Sequence, residues 1–431
     1  MPSPAPGVAD SLLMGKSPRF ARTPSPAPSR ELRRLLPRLQ RALARVDGDA
    51  IDREDRVAPA TVSALKRLGL FRLRIPRAHG GLGLNRPDYH RVVTLVAQRS
   101  AGLAMWITTQ TLALELLDLG GTPEQRAELL PRLAAGDLSA LALTEAAAGT
   151  DPAVLAATAR RVRGGYRLDG EKLWITNGSV ARWIVVLARA PGGVSAFVVD
   201  GRAPGFSVAR RCRFLGLRGM ENGLLRLRGV FVADSRRVGK EGDGLRLALA
   251  AMNAGRLSVA ARALGLVNES LRISKEWTSR RRVSGRALAA NASVAERLSR
   301  LEALAAEVSG VGARTAALGA DRWESSLAKL FAAAAAWEAA DLALQLRGGR
   351  GYETADSQRA RGEAPEPVER LLRDARGLRL IEGTDDALRG ALARRRRELA
   401  GRKGEPDAAD YAGADEAVRR YGELCGAGRR A

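Results

Sequence analysis

The hydrophobic period of this chain changes twice, and that limits its fold more than any single motif. From Arg30 to about Ala140 apolar residues recur every three or four positions, as in "ELRRLLPRLQRALARV" and "TVSALKRLGLF", the spacing of one helix face. "TPEQRAELLPRLAAG" opens with Thr122 as N-cap, Pro123 at the first helical position and Glu124 beside it. Between about Leu141 and Gly239 the period shortens. "GYRLDGEKLWITNG", "WIVVLARA", "VSAFVVD", "FSVARRC" and "GLLRLRGVFVA" are short β-branched and aromatic runs between Gly, Asp and Pro turns, as in a small sandwich or barrel. Helices return from Gly242 to about Arg397, where Val294, Leu298, Leu301, Leu304 and Val308 keep one face apolar. The order is α, β, α, with no tandem repeat and none of the βαβ alternation of a dinucleotide-binding sheet. The fold class is therefore α+β and mainly α. The segments divide into a loose, disordered arm over 1–29, a helical domain over 30–140, a β-domain over 141–240, a helical domain over 241–400 and a polar tail over 401–431.

Composition narrows the function. An apolar fraction of 45% supports a large core, and no run approaches the roughly 18 apolar residues of a membrane span. Cys212, Cys425, His79 and His90 are too few and too scattered for a structural metal site. Together these suggest a reduced, intracellular, cytoplasmic protein of bacterial type, peripheral to a membrane at most. The N-terminal "MPSPAPGVADSLLMGKSPRFARTPSPAPS" has no apolar segment for secretion, and its prolines spoil an amphipathic presequence. The net charge of +24 admits a polyanionic partner, a phosphate-bearing ligand, or simple over-use of Arg along with Ala and Gly.

Five stretches have residues suited to chemistry. "LALTEAAAGTD", Leu141 to Asp151, is a small-residue loop whose hydroxyls and backbone N–H groups can approach a flat, polar ligand. "GEKLWITNG" puts Trp174 and Thr176 two apart on a strand, so one face offers a stacking plane and a hydroxyl; a core tryptophan is the plainer reading. "RRRVSGRAL" offers guanidinium forks for a diphosphate, or only an exposed basic loop. "QLRGGRGY" is a Gly-rich turn or simply a helix C-cap. In "GLRLIEGTDDALRG" Thr384 can cap a helix whose first turn holds Asp385 and Asp386, while Glu382 follows Leu380 and Ile381 directly.

In this order, with "LGLFRLRIPRAHGGLGL", "FLGLRG", "NAGRLSVAARALG" and "RLLRDARGLRLIEGT", these stretches resemble the flavin-dependent acyl-CoA dehydrogenases from about Leu65 to Arg389. "SLLMGK" and "NAGRLS" look most like the very-long-chain branch, without most of that branch's extra C-terminal domain. The resemblance implies an N-terminal helical domain, a central β-domain and a C-terminal four-helix bundle. It also implies FAD, held between subunits of a homodimer or homotetramer, an acyl-CoA substrate and electron-transferring flavoprotein as reoxidant. Residue by residue, Trp174 would flank the flavin and Thr176 would lie near its N5, with Thr144 and Thr150 lining the loop and Thr384 touching FAD. Arg281, Gln345 and Gly349 would hold the FAD of the neighbouring subunit. Arg256 and Gly383 would serve the substrate side, and Glu382 would be the base that takes the α-proton of a fatty acyl thioester while a β-hydride goes to FAD, giving a trans-2-enoyl-CoA.

Several positions depart from the family pattern: Ala146, Ser284, Ala292, Ala295 and Ile381, together with an insert over 353–367. Ser284 takes the place of the aromatic that packs on the adenine, which weakens that end of the cofactor site. Two rival readings stay open. One is a flavoenzyme of this fold acting as an oxidase or on carrier-bound acyl groups. The other is a basic, non-catalytic relative that binds nucleic acid or an anionic membrane.

Overall fold

The computed structural model describes residues 7–18, 25–149, 154–318 and 321–426. The chain forms two compact units. A sheet-bearing unit comprises Pro28–Val92 and Gly102–Gly255, and a helical unit comprises Met1–Ala27, Val93–Ala101 and Arg256–Ala431.

The sheet-bearing unit holds helices Arg30–Ala44, Gly48–Glu54 and Pro59–Leu68, and an eight-stranded sheet against which helices Ala101–Gly120 and Pro123–Ala134 pack. Its strands are β1 (Ser139–Ala142), β2 (Thr158–Val162), β3 (Gly165–Thr176), β4 (Trp183–Ala190), β5 (Gly193–Asp200), β6 (Phe206–Arg211), β7 (Asn222–Ala233) and β8 (Arg237–Val238). They run in the order β6-β7-β3-β2-β4-β5-β8, with β1 parallel to β4. β4 is apolar and buried on both faces from Trp183 to Ala188, with the exposed Arg189 near its end. Trp183, Val185 and Leu187 join one core with Leu117, Leu130 and Leu133 of the helices, while Ile184 and Val186 join another with Tyr166 and Phe197. Thr122 caps Pro123–Ala134 as its sequence requires, and Gln125 completes a reciprocal capping box.

In the helical unit, Ala292–Leu318, Arg322–Arg347, Asp385–Leu399 and Ala408–Gly426 pack on one another. Arg322–Arg347 buries Ala332, Ala333, Ala336, Ala339, Ala340 and Ala343, whose small side chains let neighbouring backbones come close. Two segments placed outside the domains, the first in an arm expected to be disordered and the second in a polar tail, belong to this core. Val8–Leu13, inside the supposed disordered arm, is a helix that buries Leu12 and Leu13. Ala408–Gly426, inside the supposed tail, is a 19-residue helix that buries Ala414, Ala417 and Tyr421. Both were hidden for the same reason: proline-rich or Ala/Gly-rich surroundings give almost no hydrophobic period. The basic run Arg394–Arg397 ties them down. Arg395 grips Asp10 at 2.7 and 3.0 Å, and Arg397 reaches Asp410 at 2.8 Å. Among the described residues, no helix is long and apolar enough to cross a membrane.

Candidate active site

Glu382 sits in the turn between helices Val368–Leu378 and Asp385–Leu399. Its φ is +56° and that of Gly383 is +95°, two consecutive left-handed residues. For a glutamate that conformation costs about 1 kcal/mol or more, so the surroundings must impose it. They do so at both ends of the turn. Arg256 Nε donates to the Glu382 carbonyl at 3.2 Å. Asp385, expected only as a helix-dipole residue, is instead a buried anchor that accepts from Lys329 Nζ at 2.8 Å and from Arg379 Nε at 2.7 Å. Thr384 is the N-cap, accepting from the Ala387 N–H at 3.3 Å.

Glu382 is partly buried. Desolvation pushes its pKa up; Arg262, Arg256 and Lys329 pull the other way without cancelling it. Leu380, two residues before it, is 51% exposed and shields it little. The charged neighbours come from distant helices. Arg262 and Lys329, both fully buried, were missed. Their signal was a lone cation inside an apolar helical run, "SVAARALG" and "SLAKLFAAA".

In the sheet-bearing unit, Trp174 has a φ of +57° at a register shift between Lys172 and Ile175, where β3 pairs with β7. The regular alternation invoked for Trp174 and Thr176 is therefore broken by a bulge. Trp174 is 56% exposed, which rules out the core-tryptophan reading. Thr144 lies beside it, because the Leu173 N–H donates to the Thr144 carbonyl at 2.9 Å. Lys172, buried next to the bulge, donates to Glu145 at 2.6 Å and to the Leu143 carbonyl at 3.1 Å. Thr176 Oγ1 accepts from Asn222 Nδ2 at 3.2 Å. Among the described residues the buried Asn222 Oδ1 has no donor. Thr150 lies outside the described residues.

Arg281, Gln345 and Gly349 meet in the helical unit, along a cleft of about 470 Å³ that Trp277, Arg347, Arg350, Glu353 and Arg361 also line. Ser284 and Gly285, with φ of +49° and +77°, form the two-residue turn of the hairpin Arg282–Val283/Arg286–Ala287 beside it. The insert over 353–367 folds back on the Gly-rich turn: Gln358 donates to the carbonyls of Arg350 and Glu353 at 3.1 and 2.9 Å. An exposed tryptophan on a bulge, an orphaned buried amide oxygen and an arginine-lined cleft are features a large, planar, phosphate-bearing cofactor would use. Among the described residues no group of three His, Cys, Asp or Glu is placed to hold a metal ion.

Models of the acyl-CoA dehydrogenase N-terminal, middle and C-terminal domains match residues 31–137, 140–230 and 242–396. The chain is 41% identical over 408 residues to "Probable acyl-CoA dehydrogenase FadE10" of Mycobacterium tuberculosis, covering 90% of this chain and 63% of that protein. It is 33% identical over 358 residues to the Bacillus subtilis "Acyl-CoA dehydrogenase" (79% and 90% covered). It is 31% identical over 359 residues to the mouse mitochondrial very long-chain specific acyl-CoA dehydrogenase (78% and 53% covered). Butyryl-CoA dehydrogenase from Megasphaera elsdenii superposes with a TM-score of 0.76 at 26% identity, covering 84% of this chain and 96% of that one. The chain thus spans less than two thirds of the length of the mycobacterial FadE10 proteins.

Proposed function

This chain belongs to the acyl-CoA dehydrogenase family, and from that premise we propose that it desaturates a fatty acyl-CoA thioester between its α and β carbons, with Glu382 as the base. The observation that carries the reading is Glu382 on a left-handed turn with Arg256 on its carbonyl, its carboxyl partly desolvated. An α-C–H beside a thioester is a very weak acid, so the base must be desolvated and held where the proton leaves. Burial strengthens Glu382 as a base, and Arg256, Arg262 and Lys329 keep its ionised form accessible. Arg256 also fixes the peptide that aims the side chain, while Gly383 permits the turn that Thr384 closes as a cap.

FAD fits the residues described above, and when bound it supplies the acceptor for the β-hydride. Trp174 would flank its ring system, Thr176 and Thr144 would offer hydrogen-bonding groups, and Thr384 would touch it as well. Asn222 donates to the Thr176 hydroxyl oxygen at 3.2 Å, and that hydroxyl in turn donates to Met220 Sδ at 3.7 Å, a weak acceptor that a ligand's stronger one would replace. Arg281, Gln345 and Gly349 would hold the adenosine diphosphate end of a FAD bound by a neighbouring subunit, so the reading entails a homodimer or homotetramer. Electron-transferring flavoprotein is the proposed reoxidant.

The test is the visible spectrum of the purified chain, followed by anaerobic titration with acyl-CoAs of several chain lengths. Flavin absorbance bleached by substrate is expected. Glu382→Gln is expected to keep the flavin and lose the bleaching; bleaching at the wild-type rate in that variant would overturn the assignment of the base. Oxygen uptake with peroxide release, in place of reduction of electron-transferring flavoprotein, would favour the oxidase reading. Sedimentation at micromolar concentration should give at least a dimer mass.

A further inference from the structure

Helix Arg30–Ala44 divides its residues between two faces. Leu32, Leu35, Leu39 and Leu43 are buried in the sheet-bearing unit. On the exposed side, Arg30, Arg34, Arg38 and Arg41, with Arg45 at the C-cap, fall within an arc of about 80° over a length of about 22 Å. The helix has one acid, Glu31, and Arg77 takes it; Arg34 acts on it only at longer range. Among the described residues none of the five arginines has an ion pair of its own. The next acids along the chain lie past the last arginine, where Asp47 caps helix Gly48–Glu54 and Asp55 pairs with Arg211. Helix Pro59–Leu68, which packs against Arg30–Ala44, has no acid and ends in the exposed Lys66 and Arg67. Successive arginines of the stripe are three or four positions apart, a spacing at which like charges destabilise a helix. Burial of the four leucines has to offset that, and an anionic partner covering the face would relieve it.

Arginine forks suit phosphate oxygens, and the surroundings of the stripe select among the partners that carry them. Among the described residues from 28 to 92 no large apolar side chain is exposed, so a folded protein would find no anchor there. No aromatic residue lies between Ser29 and Val46, so single-stranded nucleic acid would find no stacking platform. The phosphates of a duplex spiral away from a line along one helix. An anionic bilayer instead presents its phosphates in a plane, where all five guanidinium groups can meet them together. The apolar face is committed to the core, so the helix offers the bilayer charge alone.

We propose that the arginine face of helix Arg30–Ala44 is a docking surface for an anionic lipid bilayer, held by headgroup phosphates without insertion of the helix. The proposal is independent of the chemistry at Glu382, because binding is read without flavin or substrate. Full-length chain is sedimented with vesicles of phosphatidylcholine alone and of phosphatidylcholine with about one third phosphatidylglycerol. The anionic vesicles should take up the chain at roughly 0.05 M salt and release it by roughly 0.3 M, and the neutral ones should not bind it. The triple variant Arg34→Gln/Arg38→Gln/Arg41→Gln should partition on the order of 100-fold more weakly, about fivefold per charge. A control with the same loss of charge, Arg163→Gln/Arg202→Gln/Arg228→Gln, removes three exposed arginines elsewhere in the sheet-bearing unit and should bind nearly as wild type. Equal weakening in the two triple variants would mean that net charge alone is at work and would overturn the proposal, as would failure of the wild type to bind anionic vesicles at low salt. Tighter binding to double-stranded DNA, per phosphate and at the same salt, lost in the stripe variant, would assign the face to nucleic acid and overturn the bilayer. Gln is a good helix former and the three positions are exposed, so the stripe variant should keep the wild-type melting temperature. Were it to unfold, Arg38→Gln alone decides: partitioning about fivefold weaker is expected, and unchanged partitioning overturns the proposal.

Discussion

Glu382 combines a left-handed backbone with a carboxyl whose pKa desolvation raises, and its protonation connects chemistry to stability. Its pKa is raised in the folded chain, so the folded state holds a proton at pH values where the unfolded state has released it. The stability this contributes is complete at acid pH and is lost as pH rises from the ordinary carboxylate range through the folded pKa. Above that pKa the folded chain bears the cost of an ionised, desolvated group. Glu382→Gln should therefore melt above wild type near neutral pH, with the difference shrinking on acidification; a difference that is flat or grows toward acid pH would contradict the raised pKa. Substrate-driven bleaching by the wild type should rise with pH through the same transition. The residue itself was legible in "LIEGTDD", where the cap and the acid share one turn. Its cationic surroundings were not, because Arg262 and Lys329 are 120 and 53 positions away in the sequence.

At the scale of elements, strand positions were well marked. "WIVVLARA" is β4 from first residue to last, since a strand buried on both faces gives an apolar run, here Trp183 to Ala188, bounded by turns. The short strands β1, β2 and β8 gave no usable period, and the Trp174 bulge is set by pairing with β7. Glycines give the clearest case of what element packing needs. A Cβ at Gly310 would lie 2.1 Å from the backbone carbonyl oxygen of Cys425, so helix Ala408–Gly426 rests directly on Ala292–Leu318. Gly310→Ala should destabilise the helical unit by about 1–3 kcal/mol, measured by urea unfolding, because backbone has to move to admit the methyl. An unchanged midpoint would show that the C-terminal helix is not packed there.

For the whole molecule, the charge of +24 survives extensive internal ion pairing. It favours the approach of any polyanion, and an acyl-CoA with its phosphates is one. Stopped-flow association of acyl-CoA should slow by about tenfold or more between roughly 0.02 and 0.3 M salt, while flavin reduction at saturating substrate changes little. A salt-independent association rate would show that the charge has no part in substrate capture. The sequence alone determined the α, β, α order, the central strands, the caps and the list of candidate residues, because each depends on periods and turn chemistry within a few positions. Only the tertiary structure decided that residues 8–13 and 408–426 belong to the helical core and that Asp385 is a buried anchor. Burial and charge balance depend on which distant segments meet, and local spacing does not record that.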